Sequence, residues 1–525
     1  MATFGKNILE NLTTGMYYDS KVIYREYIQN SCDQIDVAVS HGLLKKEEGS
    51  VDIAIDTGKR NIVIRDNATG IPASEFRRQL EDIANSDKER GKNKGFRGIG
   101  RLCGLAYCKT LTFRATAHGE SITSVMKMNA KLMREMIASK EKYTVDDILF
   151  QITSFYEETA EPESHGFEVC LEGINIENTD LLDAEKVKDY LAFVAPVPYS
   201  NKFRLRTKIY EHAQVIGYHI DEYNIYVNGS QIFKDYGMRL YEKTNTSGSK
   251  QAFDEFCDLA FHDIYDGKGL VAWMWYGLCR FEKAIPKKEN PMYGFRVRQS
   301  NIQIGDNTIL AKFFKEDRGN SYFVGEVFAV SPELTPNSQR DNFNENPTRI
   351  FFEEKIMDIC YDELTRLYNM AAKQKGSYKR LGEYAAAVED FEKKAEKGFV
   401  DDKEREDLER RIKEAEARKD EAQKYIFKSS NEGEVISDSP STIVQKAIKS
   451  FFDQKHAEER VAEAETKQGT ALEEESEKPK YFTDSLSKLD KSKRKLVAQV
   501  LGIVSRHIDE DTLNMIKADL EKEFR

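Results

Sequence analysis

One short stretch, residues 26–33, constrains the fold of this chain more than any other. Its polar residues Glu26, Asn30 and Asp33 recur at i, i+4 and i+7, so at about 100° per residue they share one face of a helix. The opposite face is apolar and consists of Tyr24, Ile28, Cys32, Ile35 and Val39. The pattern predicts a helix with a core on one side and an acid-amide-acid row on the other, for which a solvated face is the alternative interpretation.

Two later segments favour a ligand site over a solvated face. Asp66 to Ile71 follows the strand-like run Asn61 to Arg65, and Gly95 to Arg101 precedes an apolar run. An aspartate at the end of a strand can accept a hydrogen bond from an exocyclic amine, and glycines expose backbone N–H groups that can face phosphates. The alternatives are an Asx-type turn at the aspartate and a flexible turn at the glycines.

These residue types fit the chemistry of ATP hydrolysis. Asp66 suits the adenine amine, and Gly70 would let the nucleobase approach the backbone closely. Asn30 offers a neutral oxygen to Mg²⁺, whose remaining ligands would be water and phosphate oxygens. Glu26 lies one helical turn away, where a general base could orient the attacking water. Asp33, one turn in the other direction, would support the nucleobase or a bound water.

In this order the three segments resemble the N-box and the two glycine boxes of the GHKL ATPases, the superfamily of gyrase, the ninety-kilodalton heat-shock chaperones, histidine kinases and MutL. The resemblance implies a Bergerat-fold domain that hydrolyses ATP with Mg²⁺, with Glu26 as the base and Asn30 as the metal ligand. Phe167 departs from the family, which usually has a threonine there. The nucleotide contacts that the resemblance implies are Asn30, Asp33, Asp66, Gly70, Ile71, Ser86, Gly95, Phe96, Arg97, Gly98, Ile99 and Gly100.

The loop at residues 332–341 indicates which branch of this superfamily the chain resembles. Gyrase and MutL reach the γ-phosphate with a lysine, whereas the heat-shock chaperones use an arginine in a setting that Pro336 to Arg340 resembles closely. A guanidinium can grip phosphate oxygens in a fork and stays charged. Arg340 is therefore predicted to be catalytic, as a sensor of the γ-phosphate. The alternative is a surface arginine paired with Asp341.

The predicted fold class is α/β. Residues 1–182 are predicted to form the ATP-binding domain, an antiparallel-rich sheet with helices on one face, and the charged stretch Asn85 to Lys94 is its predicted lid. Residues 183–375 are predicted to form a second α/β domain, by resemblance of the ribosomal-S5-like type. The remainder is predicted to be all-α, with a coiled coil or helical hairpin at 376–430, a helix and polar linker at 431–481, and a small helical unit at 482–525.

Composition limits the classes of partner and the cellular compartment that are expected for this chain. The net charge of −11 disfavours a phosphate backbone, so nucleic acid is an unfavoured but not excluded partner. The seven cysteines are scattered without a CxxC pair, which indicates reduced thiols. No long apolar run or signal-like start is present, so a cytoplasmic protein without membrane association is expected. The resemblance implies a homodimer that clamps a protein partner or client, with a stress or antiviral-defence assembly as one setting.

Two alternatives come from other branches of the superfamily. A clamp of the MORC or MutL kind would close around DNA, but the arginine at the sensor position and the acidic charge weigh against it. A histidine kinase needs a phosphoacceptor histidine, and none of the eight histidines lies in such a context.

Overall fold

The computed structural model describes residues 4–13, 19–82, 100–161, 163–244, 248–433, 439–466 and 481–525. The chain divides into two compact units, Met1–Leu278 with Lys283–Thr365 and Cys279–Glu282 with Arg366–Arg525. Among the described helices, none combines the length and the hydropathy that crossing a membrane requires.

In its described residues, the first unit combines helices with three sheets, which confirms the predicted α/β class. Its helices are α1 (Asn7–Thr13), α2 (Val22–Ser40), α3 (Ala73–Glu81), α4 (Ala130–Ala138), α5 (Val145–Ile152), α6 (Ala184–Val194), α7 (Arg206–Val215) and α8 (Pro347–Met357). Its strands are β1 (Ser50–Asp56), β2 (Asn61–Asp66), β3 (Thr110–Thr116), β4 (Ile122–Asn129), β5 (Thr153–Thr159), β6 (Gly166–Glu172), β7 (Asn224–Val227), β8 (Ser230–Gln231), β9 (Arg239–Lys243), β10 (Lys250–Glu255), β11 (Asp258–Asp266), β12 (Gly269–Leu278), β13 (Gly294–Gln299), β14 (Ile302–Ile304) and β15 (Val324–Ala329).

The largest sheet has eight strands in the order β5-β4-β3-β6-β2-β1-β7-β8, and nearly all neighbours in it are antiparallel. In β1, Val51, Ile53 and Ile55 are buried, because alternate side chains of a strand point to the same face. The exception to antiparallel pairing is β7, which runs parallel to β1 from Ser50↔Asn224 to Ile53↔Val227. The sheet therefore continues past residue 182, and the predicted division into domains stays a prediction.

Helix α2 packs against β1 and β2 of this sheet. Its apolar side is largely buried, as Tyr24, Ile28 and Cys32 are at most 1% exposed and Val39 is half-buried. The opposite side is covered as well, since Glu26 is 7% and Asp33 is 4% exposed. The predicted helix is confirmed, and the solvated-face interpretation of its polar row is wrong, because two of its three polar side chains are buried.

The second large sheet has the order β11-β12-β15-β13-β14 and contributes two residues to a buried ionic cluster. Glu326 on β15 lies 3.0 Å from the Nζ of Lys234 and 2.5 Å from the guanidinium of Arg298, and all three side chains are fully buried. Burial by itself would raise the pKa of Glu326, but Arg298 and Lys234 outweigh it and hold the pKa at about 2. The hydroxyl of Tyr236 also donates to Glu326 at 2.8 Å.

The second unit is helical. Its helices are α9 (Thr365–Lys397), α10 (Asp402–Gly433), α11 (Pro440–Thr466), α12 (Lys491–Val504) and α13 (Glu510–Phe524). Arg411 pairs with Asp390 at 3.2 Å, and Lys419 lies 4.2 Å from the ring centroid of Tyr384. Lys419 follows Arg411 in α10, whereas its partner Tyr384 precedes Asp390 in α9. The two helices are therefore antiparallel, as in a helical hairpin.

A small core in the second unit joins Val400 to residues 482–524. It consists of Val400, Phe482, Leu486, Leu501 and Leu513, with partly buried neighbours on α12 and α13. Leu496 of α12, by contrast, is 61% exposed. Only one side of α12 therefore packs in this core.

Candidate active site

The acid-amide-acid row of α2 holds the first group of predicted site residues. Glu26 and Asp33 are buried, and Asn30 between them is half-buried. The carboxylate of Glu26 forms ion pairs with two arginines, since its Oε1 lies 3.4 Å from Arg25 and 3.3 Å from Arg340. Two cations within about 4 Å offset the cost of burying this anion.

Asp66 ends β2 and is 2% exposed. Its Oδ1 accepts hydrogen bonds from the backbone N–H of Ala68 at 3.1 Å and of Phe167 at 3.2 Å. Burial is the largest influence and raises the pKa of Asp66 to about 6, against the lowering effect of hydrogen bonds that include one from Ser31 of α2. The contact with Ala68 is the Asx-type turn predicted as the alternative, so Asp66 has a structural role at this strand end whatever it binds.

Gly70 has a φ of +64°, and a Cβ at this position would lie 1.9 Å from the carbonyl oxygen of Thr116. A glycine is required here because the chain passes directly over the end of β3. This glycine was predicted to allow the approach of a nucleobase, whereas the close approach in the structure is between two backbone segments. Ile71 follows it and is half-buried.

Gly100 is the member of the second glycine box that the structure describes. It begins a 3₁₀ helix, Gly100–Ala106, and a Cβ added to it would lie 2.5 Å from Oε2 of Glu26. The backbone of this box thus lies directly against the predicted base. Outside the described residues are the predicted lid and the predicted contacts Ser86, Gly95, Phe96, Arg97, Gly98 and Ile99.

Arg340 lies in the loop after β15 and is 9% exposed, so it is not a surface arginine. Its φ is +56°, a left-handed conformation that costs energy for a residue with a side chain. Two backbone hydrogen bonds hold it there: its N–H donates to Asn337 at 3.2 Å, and its carbonyl accepts from Gly305 at 2.8 Å. The carboxylate of Asp341, the predicted alternative partner, accepts from the side chain of Asn337 at 2.5 Å.

Besides Arg25, two residues described near this site were not selected from the sequence. Gln29, beside Asn30 on α2, is 1% exposed, and neither polar atom of its amide has a hydrogen-bond partner in the described part of the chain. Gly166 has a φ of +138°, and a Cβ there would lie 2.1 Å from the carbonyl oxygen of Asp66. The signal for Gln29 was its position three residues after Glu26, whereas nothing in the local sequence around Gly166 predicts its neighbour.

Residues 18–166, which contain this site apart from Arg340, match the family described as "Histidine kinase-, DNA gyrase B-, and HSP90-like ATPase". The chain therefore carries a domain of the GHKL ATPase superfamily. It is also similar to the chaperone protein HtpG of Bacteroides thetaiotaomicron, with 25% identity over 150 residues, which places the domain near the HSP90 branch. That similarity covers 27% of this chain and 22% of the relative, so the chain spans about a fifth of the length of the curated relative it matches.

Proposed function

We propose that this chain is an ATP-hydrolysing conformational clamp similar to the HSP90-type chaperones. The observation that carries the proposal is the contact of Arg340 with Glu26 at 3.3 Å, both side chains being buried. A catalytic base and a phosphate sensor would have to meet at the γ-phosphate, and these two residues meet although they lie on α2 and on a loop far along the chain. A merely structural arginine could have been supplied by a neighbouring element.

The residues present fit a nucleotide with its metal. Among the described residues, no group of three or more His, Cys, Asp or Glu could hold a metal ion alone, so Mg²⁺ would depend on phosphate oxygens as well as on Asn30. The orphaned amide of Gln29 and the bare backbone of Gly100 beside Glu26 offer further polar groups on the same side. Bound ATP would supply the phosphoanhydride bond that is cleaved.

Each residue then has a defined task. Glu26 orients the attacking water and accepts its proton, and Asn30 supplies one oxygen to Mg²⁺. Asp66 accepts a hydrogen bond from the adenine amine, with Asp33, Gly70 and Ile71 beside it. The remaining predicted contacts, from Ser86 to Ile99, complete the phosphate-binding part in this proposal.

The ion pair between Glu26 and Arg340 sets the order of events. While Arg340 is bound to Glu26, the carboxylate is neutralised and the guanidinium is occupied. Catalysis requires Arg340 to exchange this partner for the γ-phosphate, which leaves Glu26 paired with Arg25 alone and more accessible to a water. Nucleotide binding would therefore change the contacts of the Arg340 loop, and a homodimer acting on a protein partner or client would use that change.

The test compares three variants of the full chain. Glu26→Ala should still bind MgATP in calorimetry but lose hydrolysis. Arg340→Ala should bind MgATP normally but hydrolyse it slowly. In both variants the rate of hydrolysis should fall by roughly a hundredfold or more. The control is Arg349→Ala, which removes a half-buried arginine of the same unit, paired with Glu353 at 3.2 Å on α8. Hydrolysis by Glu26→Ala at the parental rate would refute the assignment of the base, and no heat of MgATP binding by the parent would refute the proposal.

A further inference from the structure

An exposed apolar stripe runs along α12 in the second unit. Leu496, Val500 and Ile503 are 61%, 50% and 57% exposed, and they recur at i, i+4 and i+7. At about 100° per residue they share the side of the helix that faces away from Leu501, which packs in the small core. Single exposed apolar residues are ordinary in proteins, whereas a contiguous stripe of them marks a surface that another molecule covers.

The spacing of the stripe is that of a coiled-coil seam. Steps of four and three residues place Leu496 and Ile503 at d positions and Val500 at the a position between them. Lys493, one heptad before Val500, occupies the preceding a position and is exposed as well. The stripe therefore fits the face of a second helix rather than a flat or irregular surface.

The charges along this side of the second unit are polarised. Four of the first five residues of α12 are Lys or Arg, and the helix contains no acidic residue. Cations at this end face the positive end of the helix dipole, which is an unfavourable placement. After the helix, the exposed carboxylates of Asp509, Glu510 and Asp511 outnumber the single cation Arg506. The stripe thus lies between a basic end and an acidic end.

Cations at the basic end remain available to a partner. Lys491 and Lys495 are exposed and have no ion pair among the described residues. Lys493 lies 3.2 Å from Asp490, but both side chains are more than half exposed, and such a pair contributes little. A partner that brings carboxylates to this end would therefore improve its electrostatics.

We propose that this face binds a second copy of the chain, with the two α12 helices antiparallel across a two-fold axis. A two-fold contact joins the same patch on both copies, so each stripe covers the other. Antiparallel pairing places the basic end of each helix beside the acidic end of the other, whereas parallel pairing would bring like charges together. A separate acidic helix or an anionic membrane would match the lysines but would be repelled by Asp509, Glu510 and Asp511.

The orientation has a geometric consequence that can be measured. With the two-fold axis near Val500, the centre of the stripe, Lys493 lies seven residues from the axis. At about 1.5 Å per residue, the two copies of residue 493 are then about 20 Å apart along the helices. A disulfide needs Cα atoms within about 7 Å, so it can form between two copies of residue 500 and not between two copies of residue 493.

Sedimentation of the full chain without nucleotide tests the interface. The parent should be a dimer, and Val500→Asp should weaken the dimer by roughly a hundredfold or more, because it buries two carboxylates against each other on the axis. Met515→Asp is the matched control, since Met515 on α13 is 69% exposed and lies outside the stripe. Both positions are exposed, so circular dichroism should show unchanged helix content in both variants.

Oxidative cross-linking tests the orientation, in a Cys257→Ser background that removes the exposed native thiol. Val500→Cys should form a disulfide-linked dimer, and Lys493→Cys should not. Cross-linking of both variants would overturn the antiparallel arrangement.

Three results would overturn the interface: a monomeric parent at micromolar concentration, equal dimer affinity of the Val500→Asp and Met515→Asp variants, or a monomer that binds vesicles of phosphatidylserine and phosphatidylcholine through this face, which would assign the face to a lipid surface. Use of the dimer in a clamp rests on the proposed function, whereas the interface itself does not. A chain that dimerises through α12 but hydrolyses no ATP would refute the proposed function alone. A chain that hydrolyses ATP as a monomer would refute this interface.

Discussion

Replacing Asp66 by asparagine tests how the end of β2 is organised. The carboxyl is buried and accepts hydrogen bonds from Ala68 and Phe167, yet burial prevails and its pKa rises from 3.8 to about 6. Asparagine keeps the shape and one acceptor oxygen but cannot titrate. The difference in stability between the two proteins therefore isolates the cost of the buried charge.

The sign and the size follow from linkage. A carboxyl whose folded pKa is raised binds protons more tightly in the folded state, so its favourable contribution is complete below about pH 4 and is lost as the pH rises through about 6. At about 1.4 kcal/mol per pH unit, the difference between 3.8 and about 6 is worth about 3 kcal/mol. The free energy of unfolding of Asp66→Asn relative to the parent should rise by that amount between pH 4 and pH 7.

Urea unfolding of the nucleotide-free proteins at several pH values measures this difference. Both tryptophans of the chain, Trp273 and Trp275, are buried in the first unit, so their fluorescence reports its unfolding. Asp52→Asn, at an exposed position of β1, corrects for the loss of one charge. A stability difference between Asp66→Asn and the parent that stays constant from pH 4 to pH 7 would contradict the reasoning. MgATP binding by the parent should also weaken as the pH falls through about 6, because a protonated Asp66 is a poorer acceptor for the adenine amine.

Three further substitutions test the packing by equilibrium unfolding. Gly70→Ala should destabilise the first unit by at least about 2 kcal/mol, since its Cβ would lie 1.9 Å from the oxygen of Thr116 at a φ of +64°; a loss below about 0.5 kcal/mol would contradict that contact. Glu326→Gln leaves two buried cations without their anion and should cost about 3–5 kcal/mol; an unchanged urea midpoint would show that the cluster contributes nothing. Leu501→Ala should lower the free energy of unfolding of the terminal core by about 2–5 kcal/mol, with unfolding followed by the circular dichroism of the helices. Leu496 is 61% exposed, so Leu496→Ala should change this free energy by less than about 0.5 kcal/mol in the monomer.

Local pattern predicted the elements whose two faces differ. The alternation in β1 and the turn at residues 57–59 are local patterns typical of a hairpin, and the structure contains this hairpin with β2 in register from Val51↔Asp66 to Asp56↔Asn61. Strand β5 was not predicted because it lies at the edge of the sheet and buries little. The run at Tyr223 to Val227 is strand-like in sequence, but its partner strand is not evident from the sequence, since parallel pairing with β1 joins residues far apart in the chain.

The site residues, too, divide into those that a local sequence pattern predicts and those that only the tertiary fold brings together. Glu26, Asn30 and Asp33 could be placed on one face because the helical period is local. The contact between Glu26 and Arg340 needs the tertiary fold, and from the sequence only the resemblance to the chaperone arginine pointed to it. The requirement for glycine at residue 70 was predicted for a ligand, but its described cause is the carbonyl of Thr116, which no local pattern reveals.

The parallel pairing of β7 with β1 limits where this molecule can bend. Four successive residue pairs join the two strands, so β7 must travel with the ATPase sheet in any rotation that pulls Arg340 away from Glu26. A hinge for such a motion has to lie after Gln231, where β8 ends, rather than at residue 182. For the same reason, a fragment cut at residue 182 would present the bare edge of β1 to other chains and should self-associate.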